Sequence, residues 1–260
     1  MSTIEQQIAD LAKQFADLAA PFNDKLAELN AARDFANASG DQAIDDITLR
    51  FDPRSINIIW IDPVNGDDAN SGKSGGPGNQ SGNAVQSWKR AFDLMNNAGR
   101  QQLRVCNPMT VDQLVVFQSF NPLLDIVGFD TDGQTPKRQR LTFVDSVEPG
   151  QASFCGGLQT SGQLQMRLQN IDCELASSKT TSPFTASSTM MHVWWTLGQL
   201  TKTGNPPAGT GSMFEPQGFG AFRFSSVVID ASARGFVIDD VPAGGNPNDN
   251  PLIIADFTSA

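Results

Sequence analysis

The sequence predicts a mainly β chain with an α-helical coiled coil at its N-terminus. Three observations carry this. Large apolar residues recur at heptad spacing over residues 4–29. From residue 56 onward, short apolar runs alternate with Gly, Pro, Asn and Ser. Only one stretch of that body, residues 84–98, has helical periodicity. A chain of 260 residues suffices for one large or two modest domains.

The N-terminal element spans residues 1–37 and contains one helix breaker, Pro21. Ile4, Ile8, Leu11, Phe15, Leu18, Phe22 and Leu29 fall on a and d positions. Lys25 takes the next a position with Leu26 beside it, so the phase slips after Pro21, where a kink is expected. So narrow a stripe needs a partner. Two readings are open: the helix lies on its own domain, or parallel copies from identical chains share a seam. Phe at d suits three strands better than two.

Residues 38–55 read as a connector, with Ser39-Gly40-Asp41 and Asp45-Asp46. The body, 56–260, offers strands at 56–61, 103–106, 114–117, 123–129, 141–144, 164–175, 192–197, 222–229, 236–241 and 252–257. Between the first two lies a short helix, with Val85, Trp88, Phe92 and Met95 on one face, Asn83 as N-cap and Gly99 as stop. Two segments look alike, Met166–Glu174 and Phe222–Asp230. Both read apolar, Arg, apolar, two small polar residues, then an apolar strand ending in an acid. Strand, polar bend, strand is how one rung of a parallel β-helix is written, and the 56-residue offset would span two or three rungs.

Composition removes several chemistries. The single histidine, His192, makes a multi-His metal site impossible, and Cys106, Cys155 and Cys173 are too scattered for a zinc cluster. No metal and no cofactor is expected. Eighteen basic against 28 acidic residues give a net charge of −10, which argues against nucleic acid. No apolar run nears the roughly 20 residues that cross a bilayer, and the N-terminus lacks the look of a signal peptide. No membrane insertion is expected.

The segment 59–92 is the most informative. A hydrophobic strand leads into a loop at 62–72 with Asp62, Pro63, Gly66, Asp67, Asn70 and Gly72; Ser87, Trp88, Ala91 and Phe92 follow on the helix. This resembles the entry segment of right-handed parallel β-helix proteins in bacteriophage tail fibres and tailspikes, and in pectate-lyase-like surface proteins. The match covers about 35 of 260 residues; the Pro-Phe usual before the helix is absent, and the insert 73–83 is glycine-rich. Asp62, Asp67, Asp68 and Asn70 suit Asx turns, with positive φ expected at Gly66 and Gly72; calcium is the lesser alternative.

The resemblance implies a short right-handed parallel β-helix with a capping helix, assembled as a homotrimer. It also implies a structural virion protein, made in the host cytoplasm and docked on another virion protein through residues 1–37, with the host surface as a further partner. The alternative it brings is a polysaccharide-degrading tailspike, which needs two carboxylates. Asp172, Glu174, Glu215, Asp230, Asp239 and Asp240 are the candidates; Asp172 and Glu174 share a strand face with alpha carbons about 6.5–7 Å apart. Trp194 and Trp195 are candidate glycan contacts. As neighbours on a strand they face opposite sides, so one belongs to the core.

Overall fold

A computed structural model divides the chain into two units, residues 1–52 and 53–260. It describes Gln6 and residues 56–73, 83–95, 99–118, 123–131, 135–187, 190–203 and 211–257. Gln6 is helical and exposed. The expected seam residues Ile4, Ile8, Leu11, Phe15, Leu18, Phe22 and Leu29, and the connector 38–55, lie outside the described residues.

The second unit is built from parallel strands: β1 (Ile56–Ile61), β2 (Arg100–Val105), β3 (Met109–Val111), β4 (Leu114–Phe117), β5 (Leu123–Gly128), β6 (Gln139–Phe143) and β7 (Gly157–Thr160). β8 (Leu164–Gln169), β9 (Ile171–Leu175), β10 (Phe184–Ala186), β11 (Met190–Lys202), β12 (Phe214–Pro216), β13 (Phe219–Ile229) and β14 (Ile253–Ala255) complete it. Ten form one sheet, in the order β1-β2-β5-β8-β11-β9-β6-β3 with β13 and β14 branching from β11, and β12-β10-β7-β4 form a second. Every named strand pair is parallel.

This corrects the expected fold class. A coiled coil followed by a short right-handed parallel β-helix with a capping helix is not what the described residues form. β11 pairs β8 through its first half and β9 through its second, and β13 follows β11 along both halves. Faces expected to be separate are therefore one ten-stranded sheet that curls over as a half-barrel, and the only α-helix among the described residues of the second unit is six residues long.

The turn of the curl has a backbone signature. Asn170, Leu197 and Ser226 have φ of 54°, 56° and 56°. The residues just before them, Gln169, Thr196 and Ser225, are in register, so left-handed residues stack where the sheet bends. Gly198 follows in β11, because any Cβ there would overlap the Trp195 indole and the Ile171 carbonyl.

The helix is α1 (Trp88–Asp93), shorter than the 84–98 expected. Its cap is Ser87, whose Oγ accepts from Arg90 N at 3.2 Å, not Asn83. Val85 does other work. Its N–H donates to Trp60 O at 3.0 Å, its carbonyl accepts from Asp62 N at 2.9 Å, and Trp60 N donates to Gly72 O at 2.8 Å. Backbone at Gly72 and Val85 thus satisfies the outer edge of β1 at Trp60, an edge that would otherwise template aggregation. The run 236–241, expected as a strand, makes only a bridge from Ile238 to Phe214.

The core holds a column of rings: Trp88 to Phe143 at 6.5 Å, Phe143 to Phe184 at 5.4 Å, Phe184 to Phe214 at 5.9 Å and Phe214 to Trp195 at 6.2 Å. Phe needs no polar partner in a dry column, and the two indoles find one: Trp88 Nε1 donates to Gly157 O and Trp195 Nε1 to Ile171 O. At the far end, Asn248 holds the last strand. Its Oδ1 accepts from Ala255 N at 2.8 Å and its Nδ2 donates to Ala255 O at 3.1 Å.

Candidate functional site

Strands β1, β2, β5, β8, the first half of β11, the first half of β13 and β14 form one parallel ladder. Period-two alternation sends Leu103, Ile126, Leu168, Val193 and Trp195 inward. The outward row in register is Gln102, Asp125, Arg167, Trp194 and Arg223; the row before it is Arg100, Leu123, Gln165, His192, Ala221 and Ile254. Through Thr196 of β11 and Ser225 of β13, the ladder's charged residues are Arg100, Arg104, Arg167, Arg223 and Asp125: four cations and one anion in a chain of net charge −10.

Asp125 is the centre of this face. Its carboxylate is fully buried, and Oδ2 accepts from Arg100 Nε at 2.6 Å, Arg100 Nη2 at 2.5 Å and Arg167 Nη2 at 2.9 Å. Each arginine side chain keeps 28% exposure. Asp125 Oδ1 and Arg167 Nε are buried without a hydrogen-bond partner. Arg100, Leu123, Asp125, Gln165, Arg167 and Trp194 line a cavity of about 170 Å³ here. A shallower depression of about 420 Å³ adjoins it through His192, bounded by Arg223, Ile254 and Asp256.

The two adjacent tryptophans part as alternation requires. Trp195 is fully buried; Trp194 is 41% exposed and lies under the Arg223 guanidinium, 5.3 Å from its ring centroid. His192 is exposed two residues earlier, at the rim of both hollows.

The expected catalytic pair sits elsewhere, on β9, both acids facing outward. Asp172 Oδ1 accepts from Arg138 Nε at 3.0 Å and from Arg138 Nη2. Glu174 Oε2 accepts from Thr142 Oγ1 at 3.1 Å and lies 3.6 Å from Arg140 Nη1, while Oε1 accepts from Thr203 Oγ1 at 2.8 Å. Asp172 is thus engaged through one oxygen and Glu174 through both.

The entry loop is a turn-building device. Buried Asp62 accepts from Val64 N, Asn65 N and Asn107 Nδ2 through Oδ1 and from Asn65 Nδ2 through Oδ2. Burial alone would raise its pKa; the bonds from Asn107, Asn65 and Val64 outweigh that and hold it below the ordinary carboxylate value. Asp67 Oδ1 takes Ala69 N, Asp68 Oδ1 takes Gln86 N and Ser87 N, and Asn70 Nδ2 donates to Ala84 O. Gly72 has φ of 70°, as expected; Gly66 does not need positive φ but a missing Cβ, which would overlap the Val85 and Asp62 carbonyls. Pro63 follows Asp62 in the loop, while Trp88 and Phe92 pack at 4.8 Å in the core. Among the described residues no group of three or more His, Cys, Asp or Glu is placed to hold a metal ion.

A third feature lies at the β12 end. Glu215, Asp239 and Asp240 line a cavity of about 310 Å³. Burial, then Asp240, then Glu215 push the Asp239 carboxyl above its ordinary value.

Arg100, Asp125, Arg167 and Arg223 were not candidates from sequence. The available signal was the Arg shared by the two similar segments, which proves to be Arg167 and Arg223 on either side of Trp194. Comparison with family models, curated proteins and solved structures gave no match.

Proposed function

We propose that the chain is a non-catalytic structural protein of a virion: a short homotrimeric fibre or spike, assembled in the host cytoplasm, docked on the particle through residues 1–37 and presenting its β body to the host surface. The observation that carries the non-catalytic part is the engagement of Asp172 and Glu174 by Arg138, Arg140, Thr142 and Thr203. Both acids are tied to neighbouring segments as ion-pair and hydrogen-bond partners, a structural use of a carboxylate. The heptad of residues 4–29 and the fibre-like loop at 62–72 support the assembly part. Light scattering on the full chain should give a mass near three times 27.9 kDa; a clean monomer refutes the fibre.

A second reading, a polysaccharide-degrading enzyme, draws on the raised Asp239 beside Glu215 and Asp240 in a cavity, the environment of a general acid. Release of oligosaccharide from host glycans, abolished by Asp239→Asn, would install it in place of the first.

A further inference from the structure

We propose that the cavity bounded by Arg100, Asp125, Arg167 and Trp194 binds a ring that carries a carboxylate, a uronic acid being the simplest example. This goes beyond the structural reading and does not depend on it, since a monomeric body would carry the same cavity.

Charge comes first. Arg100 and Arg167 both bond the single Oδ2 of Asp125, so two cations face one anion in a largely buried cluster. One positive charge is left over, on side chains that keep 28% exposure and so stay open to an anion from solvent. The surrounding outward residues, Gln102, Leu123, Gln165, His192 and Trp194, supply no second carboxylate.

Hydrogen bonding comes second. A guanidinium has five N–H groups in a planar fork that matches a carboxylate. Arg100 spends its Nε and one Nη on Asp125, and Arg167 spends one Nη. Arg167 Nε and Asp125 Oδ1 remain unsatisfied, one donor and one acceptor on the two members of the same ion pair. A hydroxyl beside the ligand's carboxylate answers both, accepting from the first and donating to the second once small side-chain shifts admit it.

Shape comes third. Trp194, 41% exposed, and Leu123, 38% exposed, both line the cavity. The C–H patch of a pyranose chair packs on an indole, an amphipathic surface. A volume of about 170 Å³ lies below the roughly 300–1,000 Å³ of drug-sized pockets, so it suits one ring unit rather than a long segment.

The test titrates the full chain at low salt with methyl β-D-glucuronide, methyl β-D-glucoside and inorganic phosphate, read by calorimetry and tryptophan fluorescence. The glucuronide should bind, the glucoside should bind about tenfold or more weakly, and phosphate should bind weakly for want of a ring. Arg100→Ala and Trp194→Ala should each weaken glucuronide binding about tenfold, Arg100→Lys less so, and Arg138→Ala on the other half of the sheet not at all. Circular dichroism confirms that each variant is folded; Trp194, being half exposed, can be removed without opening the core. Equal binding of glucoside, equal binding of phosphate, no binding of any probe, or indifference to Trp194→Ala each overturns the proposal.

Discussion

Asp125→Ala is the sharpest test of how the ladder face is held. Asp125 is fully buried and is the shared anion of Arg100 and Arg167, each 28% exposed. Removing one partner of a buried charged cluster costs about 3–5 kcal/mol, because the charges left behind have neither water nor counter-ion. The residual exposure lets the guanidinium groups lean toward solvent, which puts the loss at the lower end, about 3 kcal/mol. In a body of this size each kcal/mol moves Tm by roughly 2–4 °C, so the midpoint should fall by about 6–12 °C. The exposed pair Lys137–Asp130, at 3.3 Å and 56% and 38% exposure, sets the scale: Lys137→Ala should cost less than about 1 kcal/mol. Equilibrium urea unfolding at constant slope measures both. The triple replacement Arg100→Leu, Asp125→Leu, Arg167→Leu should recover most of the loss, since it removes the desolvation cost with the charges. A shift below about 1 kcal/mol for Asp125→Ala, or a triple variant no better than the single, would show that the cluster is already hydrated and refute the reasoning.

Other expectations are simpler. Leu197 holds φ of 56° and is 49% exposed, so Leu197→Asn should raise the free energy of unfolding by about 0.5–1 kcal/mol, seen as a higher urea midpoint; a lowered midpoint contradicts the strain argument. Burial would raise the Asp145 carboxyl, but bonds from Ser178 and Ser177 and the nearby Lys179 prevail and hold it at about 2 against an ordinary 3.8. Because the folded value is depressed, its contribution is complete above about pH 4 and fades as pH falls toward 2; at 41% exposure it is screened to on the order of 1 kcal/mol. Asp145→Asn should flatten the stability profile across that window, and an unchanged profile speaks against it. Cys106, Cys155 and Cys173 are each 1% exposed; burial pushes the Cys155 thiol up to about 12 and the Cys173 thiol well up. Ellman's reagent should leave all three untouched in the native chain and titrate all three in guanidinium; fast native labelling would contradict the burial.

Much of the ladder was legible because period-two alternation is local. The apolar run Ile56–Ile61 placed β1 to the residue, and alternation separated Trp194 from Trp195. The likeness of Met166–Glu174 to Phe222–Asp230 was also real in space. Their arginines share a row with Trp194 between them, and Asn170 and Ser226 stack at the bend with left-handed φ. What escaped was non-local. β10 and β12 are three residues each and take their identity from pairing, not from an apolar run. Val85 fits a helical spacing with Trp88, yet the open edge of β1 claims its backbone. The polar bend that reads as a corner between separate faces is crossed by β11 and β13 without a break, so the expected architecture gave way to a single curling sheet. The Asp125 cluster joins residues 25 and 42 positions apart, a convergence that no local pattern encodes.

Asn248 covers an edge. A parallel ladder has no natural last member: each strand added leaves behind a fresh template for the next, as a growing crystal face does. Asn248 poisons that face. Its amide occupies the N–H and the carbonyl of Ala255 together, presenting a side chain where a neighbouring backbone would dock. Among the described residues, then, the outer edge of β14 at Ala255 is met by a side chain rather than by another strand. Extending the body by grafting further strands would first require that amide to be removed, and a chain carrying Asn248→Ala would offer a living end.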